Sequence, residues 1–79
     1  MDAAHATNRT PTAHFVITEL AQLSGPADAL ATGAIAVVEF ESDRHLHRRG
    51  LDFLSGLAFG TRSELEKLGS GVYRLTPAD

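Results

Sequence analysis

There is no cysteine in the chain, so no disulfide can staple the fold and thiolate chemistry is excluded. No apolar run approaches the roughly 20 residues that a bilayer-spanning helix needs. The first twelve residues are polar and rich in Ala and Thr, without the charged-then-apolar plan of a signal peptide. A soluble, cytoplasmic protein is expected. Positive charge is also scarce. Seven Lys and Arg stand against ten Asp and Glu, for a net charge of -3. A general nucleic-acid binder needs a basic field, which this balance does not supply. The seven form no single run, although Arg44, Arg48 and Arg49 fall on one expected helix.

Enzyme chemistry has little to stand on. There is no Gly-rich phosphate loop and no Ser/His/Asp order in a motif context. Gly69-Ser70-Gly71 is too short to cradle a phosphate and reads as a turn. Asp52 could pair with Glu64 or Glu66, but nothing in the sequence brings these carboxylates to a cleft. No catalytic residue and no cofactor is assigned. Of the four histidines, His45 and His47 are two apart on the same expected helix and so point away from each other. His14 lies on another element and His5 in the tail. No metal site is expected, because zinc ligands usually sit one turn apart or on neighbouring loops. The pair reads as solvated histidines near a helix start.

What is present fits one small domain. With 79 residues, the core is small, and chains of this size often gain stability by oligomerising. The organising stretch is Arg48-Arg49-Gly50-Leu51-Asp52-Phe53-Leu54-Ser55-Gly56-Leu57-Ala58-Phe59. Leu46, Gly50, Phe53, Leu54, Leu57 and Ala58 recur at helical spacing and predict an apolar stripe on a helix from about 43 to 59. Ser42 or Asp43 can cap its start and Gly60 can end it. Arg48 and Asp52 are four apart and can form a weak exposed pair. Each internal glycine costs a helix about 1 kcal/mol relative to alanine. Gly50 and Gly56 therefore point to close approach of another backbone. That is either a tight helix-on-sheet contact within the chain or a helix–helix dimer seam.

In chain order, residues 1–12 read as a disordered polar tail and residues 13–79 as the folded domain. His14–Thr18 predicts a first strand. Ser24-Gly25-Pro26 opens a short helix, with Ala27, Leu30 and Ala31 as its apolar face and Gly33 as its stop. Ala34–Phe40 is apolar at nearly every position and predicts a central strand buried on both faces. Ser63–Leu68 is ambiguous. Ser63 and Glu66 resemble a helix capping box, but a hairpin of 64–68 with 72–76, turning at Gly69-Ser70-Gly71, is more economical. The order is β-α-β-α-β-β. The expected class is α+β, a small α/β sandwich with two helices on one face of a small sheet.

The segments AIAVVEF (34–40), RGLDFLSGLAF (49–59) and EKLGSGVYRLTP (66–77) together resemble the SepF family of bacterial cell-division proteins. The resemblance covers roughly residues 34–77 well and 13–33 weakly. It implies a dimeric α/β sandwich and a non-enzymatic adaptor. Such an adaptor binds the acidic, apolar C-terminal tail of the tubulin-like division GTPase FtsZ and modulates septum assembly. By the family pattern, Lys67 and Tyr73 on the final hairpin would contact the tail. Phe59 is expected to join Tyr73 in lining an apolar pocket. Gly50, Phe53, Leu54, Gly56 and Leu57 would hold the homodimer. The protein would be recruited to the division site through its partner.

The sequence departs from the family in four places. Met1–Thr12 has neither a basic face nor bulky apolar anchors, so direct membrane binding is not expected. The first helix is short and broken by Gly25-Pro26. Ser63 stands where a turn glycine is usual. Arg74 stands in place of an apolar residue and makes the face it shares with Val72 and Thr76 partly polar, which favours dimerisation through the helix over the sheet. The alternative function is a diverged α/β dimerisation module that pairs with a full-length SepF relative or another protein. A small-ligand regulatory domain is the weakest option, since no polar residues converge to line a pocket.

Overall fold

Alternation of side chains along four short strands decides which way this sheet faces. In a computed structural model that describes residues 10–78, β1 spans Thr12–Ile17 and leads through a 3-10 turn, Leu20–Leu23, into α1, Ser24–Ala31. There follow β2 (Ile35–Phe40), α2 (Arg44–Thr61), β3 (Glu64–Gly69) and β4 (Val72–Thr76). The expected order of elements is realised, and the ambiguous segment at 64–68 is a strand. The tail reading falls largely on residues 1–9, outside the described residues. The first strand takes in Thr12 and ends one residue short of the expected Thr18.

The sheet order is β1-β2-β4-β3. β1 and β2 run parallel, with Thr12 opposite Ile35 and Ile17 opposite Phe40. A parallel pair needs a long crossover, which the 3-10 turn and α1 supply. β4 pairs antiparallel with β2 on one side and with β3 on the other. Ser70-Gly71 turns the β3–β4 hairpin, and Gly71 takes φ 72°, a left-handed conformation suited to glycine.

Both helices lie on one face of the sheet. The core between the layers is built from Ile17, Ala36, Val38, Phe40, Tyr73 and Leu75 below and from Leu23, Leu30, Leu46, Leu54 and Ala58 above. In α1 the buried residues are Pro26 and Leu30. Ala31, expected in that face, is exposed, because the helix ends there and its last residue has turned away from the sheet.

Two further expectations are corrected. β2 is not buried on both faces. Ala36, Val38 and Phe40 are buried, whereas Ile35 and Val37 are half-buried and Glu39 is exposed. Among the described residues no second layer covers that side, and Val16 on β1 is 57% exposed there. The same face carries the ion pair between Arg74 and Glu66, which are register partners on β4 and β3. Arg74 thus makes this face partly polar, as its position predicted. The second correction concerns the end of α2. Gly60 does not stop it. The helix runs to Thr61, and Arg62, at φ 59°, is the left-handed residue that ends it. The Arg62 N–H donates to the carbonyl of Phe59 (3.4 Å) and the Ser63 N–H to that of Ala58 (2.9 Å), which satisfies the last turn without a glycine. At the other end Asp43, not Ser42, is the cap. Its Oδ1 accepts from the N–H groups of His45 (2.9 Å) and Leu46 (3.1 Å).

Candidate functional site

The helix α2 divides the residues expected at a dimer seam into two sets. Leu46, Gly50, Leu54 and Ala58 recur every four residues and face the sheet. Leu54 is 0% exposed. Gly50 is buried beneath the Phe40 ring, and a Cβ at this position would overlap that ring. Helix-on-sheet contact within the chain is therefore what Gly50 provides. Phe53 (43% exposed) and Gly56 are on the opposite side, with Leu57 half-buried between the two sets. A Cβ at Gly56 would meet nothing within 4 Å. The subunit itself gives no reason for that glycine.

At the N-terminal end of α2 three rings meet. His47 stacks on Phe40 with centroids 5.5 Å apart, and Tyr73 sits edge-on to Phe40 at 6.1 Å. The Tyr73 Oη and His47 Nε2 are 2.6 Å apart. Tyr73 is 5% exposed, so its ring is a core element and its hydroxyl is tied to the helix. His47 was expected to be solvated and is instead half-buried in this cluster. Its place in the pattern was available in the sequence, because it lies three residues before Gly50 and four before Leu51, on the inward side of the stripe. A hollow of about 430 Å³ borders the cluster, lined by Phe40, Asp43, Arg44, His47 and Gly71 among others.

Of the residues implicated in tail recognition, Lys67 and Tyr73 are brought together as register partners on β3 and β4. Lys67 is exposed on the edge strand, beside a bulge between Lys67 and Gly69. Phe59 is on the final turns of α2 and is 89% exposed, so it packs against neither of them. Among the described residues, no three His, Cys, Asp or Glu side chains group as metal ligands. No helix among them is long and apolar enough to cross a membrane.

The solvent side of the first half of α2 is basic. Arg44, His45, Arg48 and Arg49 are all exposed. They form two rows with four-residue spacing, Arg44–Arg48 and His45–Arg49. The like charges of Arg44 and Arg48 at that spacing destabilise a helix by about 0.2–0.5 kcal/mol. Positive charge at Arg44 also opposes the helix dipole, offset in part by the Asp43 carboxylate that caps the same turn. The sequence tolerates both effects at one place on the surface.

No family model matches the chain, and no curated protein matches it. Its structure is similar to that of a SepF-like protein from Pyrococcus furiosus, with a TM-score of 0.77 and 27% sequence identity over 89% of each chain. The chain has the SepF-like core fold: two helices packed on one face of a four-stranded mixed sheet.

Proposed function

We propose that this chain is a non-enzymatic cell-division adaptor, dimeric, that binds the C-terminal tail of FtsZ and modulates assembly of the division ring. The observation that carries the reading is the SepF-like core fold over 89% of the chain, together with the DFLSG and EKLGSGVYRLTP segments, which resemble those of the SepF family. Lys67 neutralises tail carboxylates from the open edge of β3. Tyr73 contributes through the position of its strand and Phe59 through its exposed ring. The adaptor is cytoplasmic and is recruited to the division site by its partner. The dimer forms through the outer side of α2, where Phe53, Gly56 and Leu57 are available, with Gly50 and Leu54 setting the helix from below.

A second reading has its own support. Burial of the Tyr73 ring leaves less aromatic surface for a tail peptide, which favours a dimerisation module that pairs with a full-length SepF relative. Co-sedimentation separates the two. Polymerised FtsZ should carry the protein into the pellet, and FtsZ lacking its tail should not. Equal pelleting with both forms, or with neither, contradicts the adaptor reading.

A further inference from the structure

We infer that the basic rows of α2, Arg44–Arg48 and His45–Arg49, are a docking surface for a short acidic peptide segment. This rests on the adaptor reading above and places the partner's carboxylates on a part of the fold that the SepF resemblance did not assign.

Three observations carry it. First, none of the three arginines has an ion-pair partner among the described residues, whereas Arg74 pairs with Glu66. Second, the side chains border shallow, open hollows. One of about 510 Å³ is lined by His45, Arg48, Arg49 and Asp52, and another of about 130 Å³ by Arg44, His45 and Arg48. Guanidinium groups in such a hollow can take carboxylates in bidentate fashion. Third, the patch is bounded. Asp52 closes it one turn beyond Arg48, and Asp43 and Glu41 stand exposed before Arg44.

That boundary selects the ligand class. A duplex would extend past the patch and meet Glu41, Asp43 and Asp52 in a chain of net charge -3, whereas nucleic-acid binding needs a broad basic field. A membrane plane of anionic lipid would press against the same carboxylates. A peptide can place two or three acidic side chains between them. Asp52 then disfavours a carboxylate at its own end and sets the direction of the peptide.

The test is calorimetric titration of the full chain with two probes, the FtsZ C-terminal tail peptide and a short synthetic glutamate–leucine peptide. The double variant Arg48→Glu/Arg49→Glu should weaken binding of both by about tenfold or more. Wild-type binding should fall as salt rises, because exposed charges are screened. Unchanged circular dichroism and unchanged mass by light scattering would show that the variant keeps its fold and assembly. If Lys67→Glu removes tail binding and the arginine variant does not alter it, this inference is overturned and the adaptor reading stands. If the glutamate–leucine peptide binds through the arginines and the FtsZ tail does not, the inference stands and the FtsZ partner falls. If neither peptide binds wild type, both fall. Arginine-dependent binding of phosphatidylglycerol vesicles or of a duplex oligonucleotide, without peptide binding, also overturns it.

Discussion

The Tyr73 hydroxyl on strand β4 and the His47 imidazole on helix α2 are 2.6 Å apart, joining the helix to the centre of the sheet. Both rings also pack against Phe40. A residue implicated in partner binding by the SepF resemblance is thus also a structural link between the two layers.

That double position governs how Tyr73 variants must be read. Tyr73→Ala removes a ring that is 5% exposed and should lower stability by about 3–5 kcal/mol, in the range for deleting a buried aromatic side chain. Tyr73→Phe keeps the ring and loses the hydroxyl, at about 0.5–1.5 kcal/mol. Chemical denaturation measures both. A Tyr73→Ala protein as stable as wild type would contradict the packing described here.

The two glycines of α2 should respond to alanine with opposite signs. At Gly50 a methyl group overlaps the Phe40 ring, and such overpacking typically costs about 1–3 kcal/mol, more than the helix propensity gained. At Gly56 the space is open, so alanine should stabilise the subunit by about 0.5–1 kcal/mol. Thermal denaturation of the two single variants checks this.

The dimer seam makes a separate prediction. Phe53→Ala and Gly56→Lys should lower the mass measured by light scattering while leaving circular dichroism unchanged, since both positions face away from the core. Unchanged mass for both variants would rule out a dimer through the outer side of α2.

Arg44 is the first residue of α2, directly after the Asp43 cap. Replacing it with glutamate should stabilise the helix by about 0.3–1 kcal/mol, because negative charge suits the N-terminal end of the dipole. A rise in the thermal midpoint with weaker binding of an acidic peptide would show stability exchanged for recognition at one position.

The sequence carried most of the layout. Apolar spacing located α2, β-branched runs located β1 and β2, and the Gly-Ser-Gly turn resolved the hairpin. What it could not carry depended on neighbours. Ala34–Phe40 is apolar on both sides, but whether a second layer covers the far side is not written in the strand. Gly60 looked like a stop, yet backbone bonds to Arg62 continued the helix past it. Phe53 and Leu54 are adjacent and equally apolar, and only the packed sheet shows that Leu54 is inside and Phe53 outside. For His47 the inward face was legible and the partner was not. Its partner, Tyr73, is 26 residues away, so their meeting follows from the order in which the strands pair. For the candidate site, strand pairing makes Lys67 and Tyr73 register partners, while the burial of Tyr73 and the isolation of Phe59 were legible only in three dimensions.

The central claim is that this fold recognises the FtsZ tail, and calorimetric titration of the folded protein with a synthetic tail peptide at moderate salt tests it most directly. The account predicts micromolar binding that Lys67→Glu removes while the thermal midpoint stays that of wild type. Absence of heat from a chain shown to be folded, or binding that Lys67→Glu leaves untouched, would contradict it.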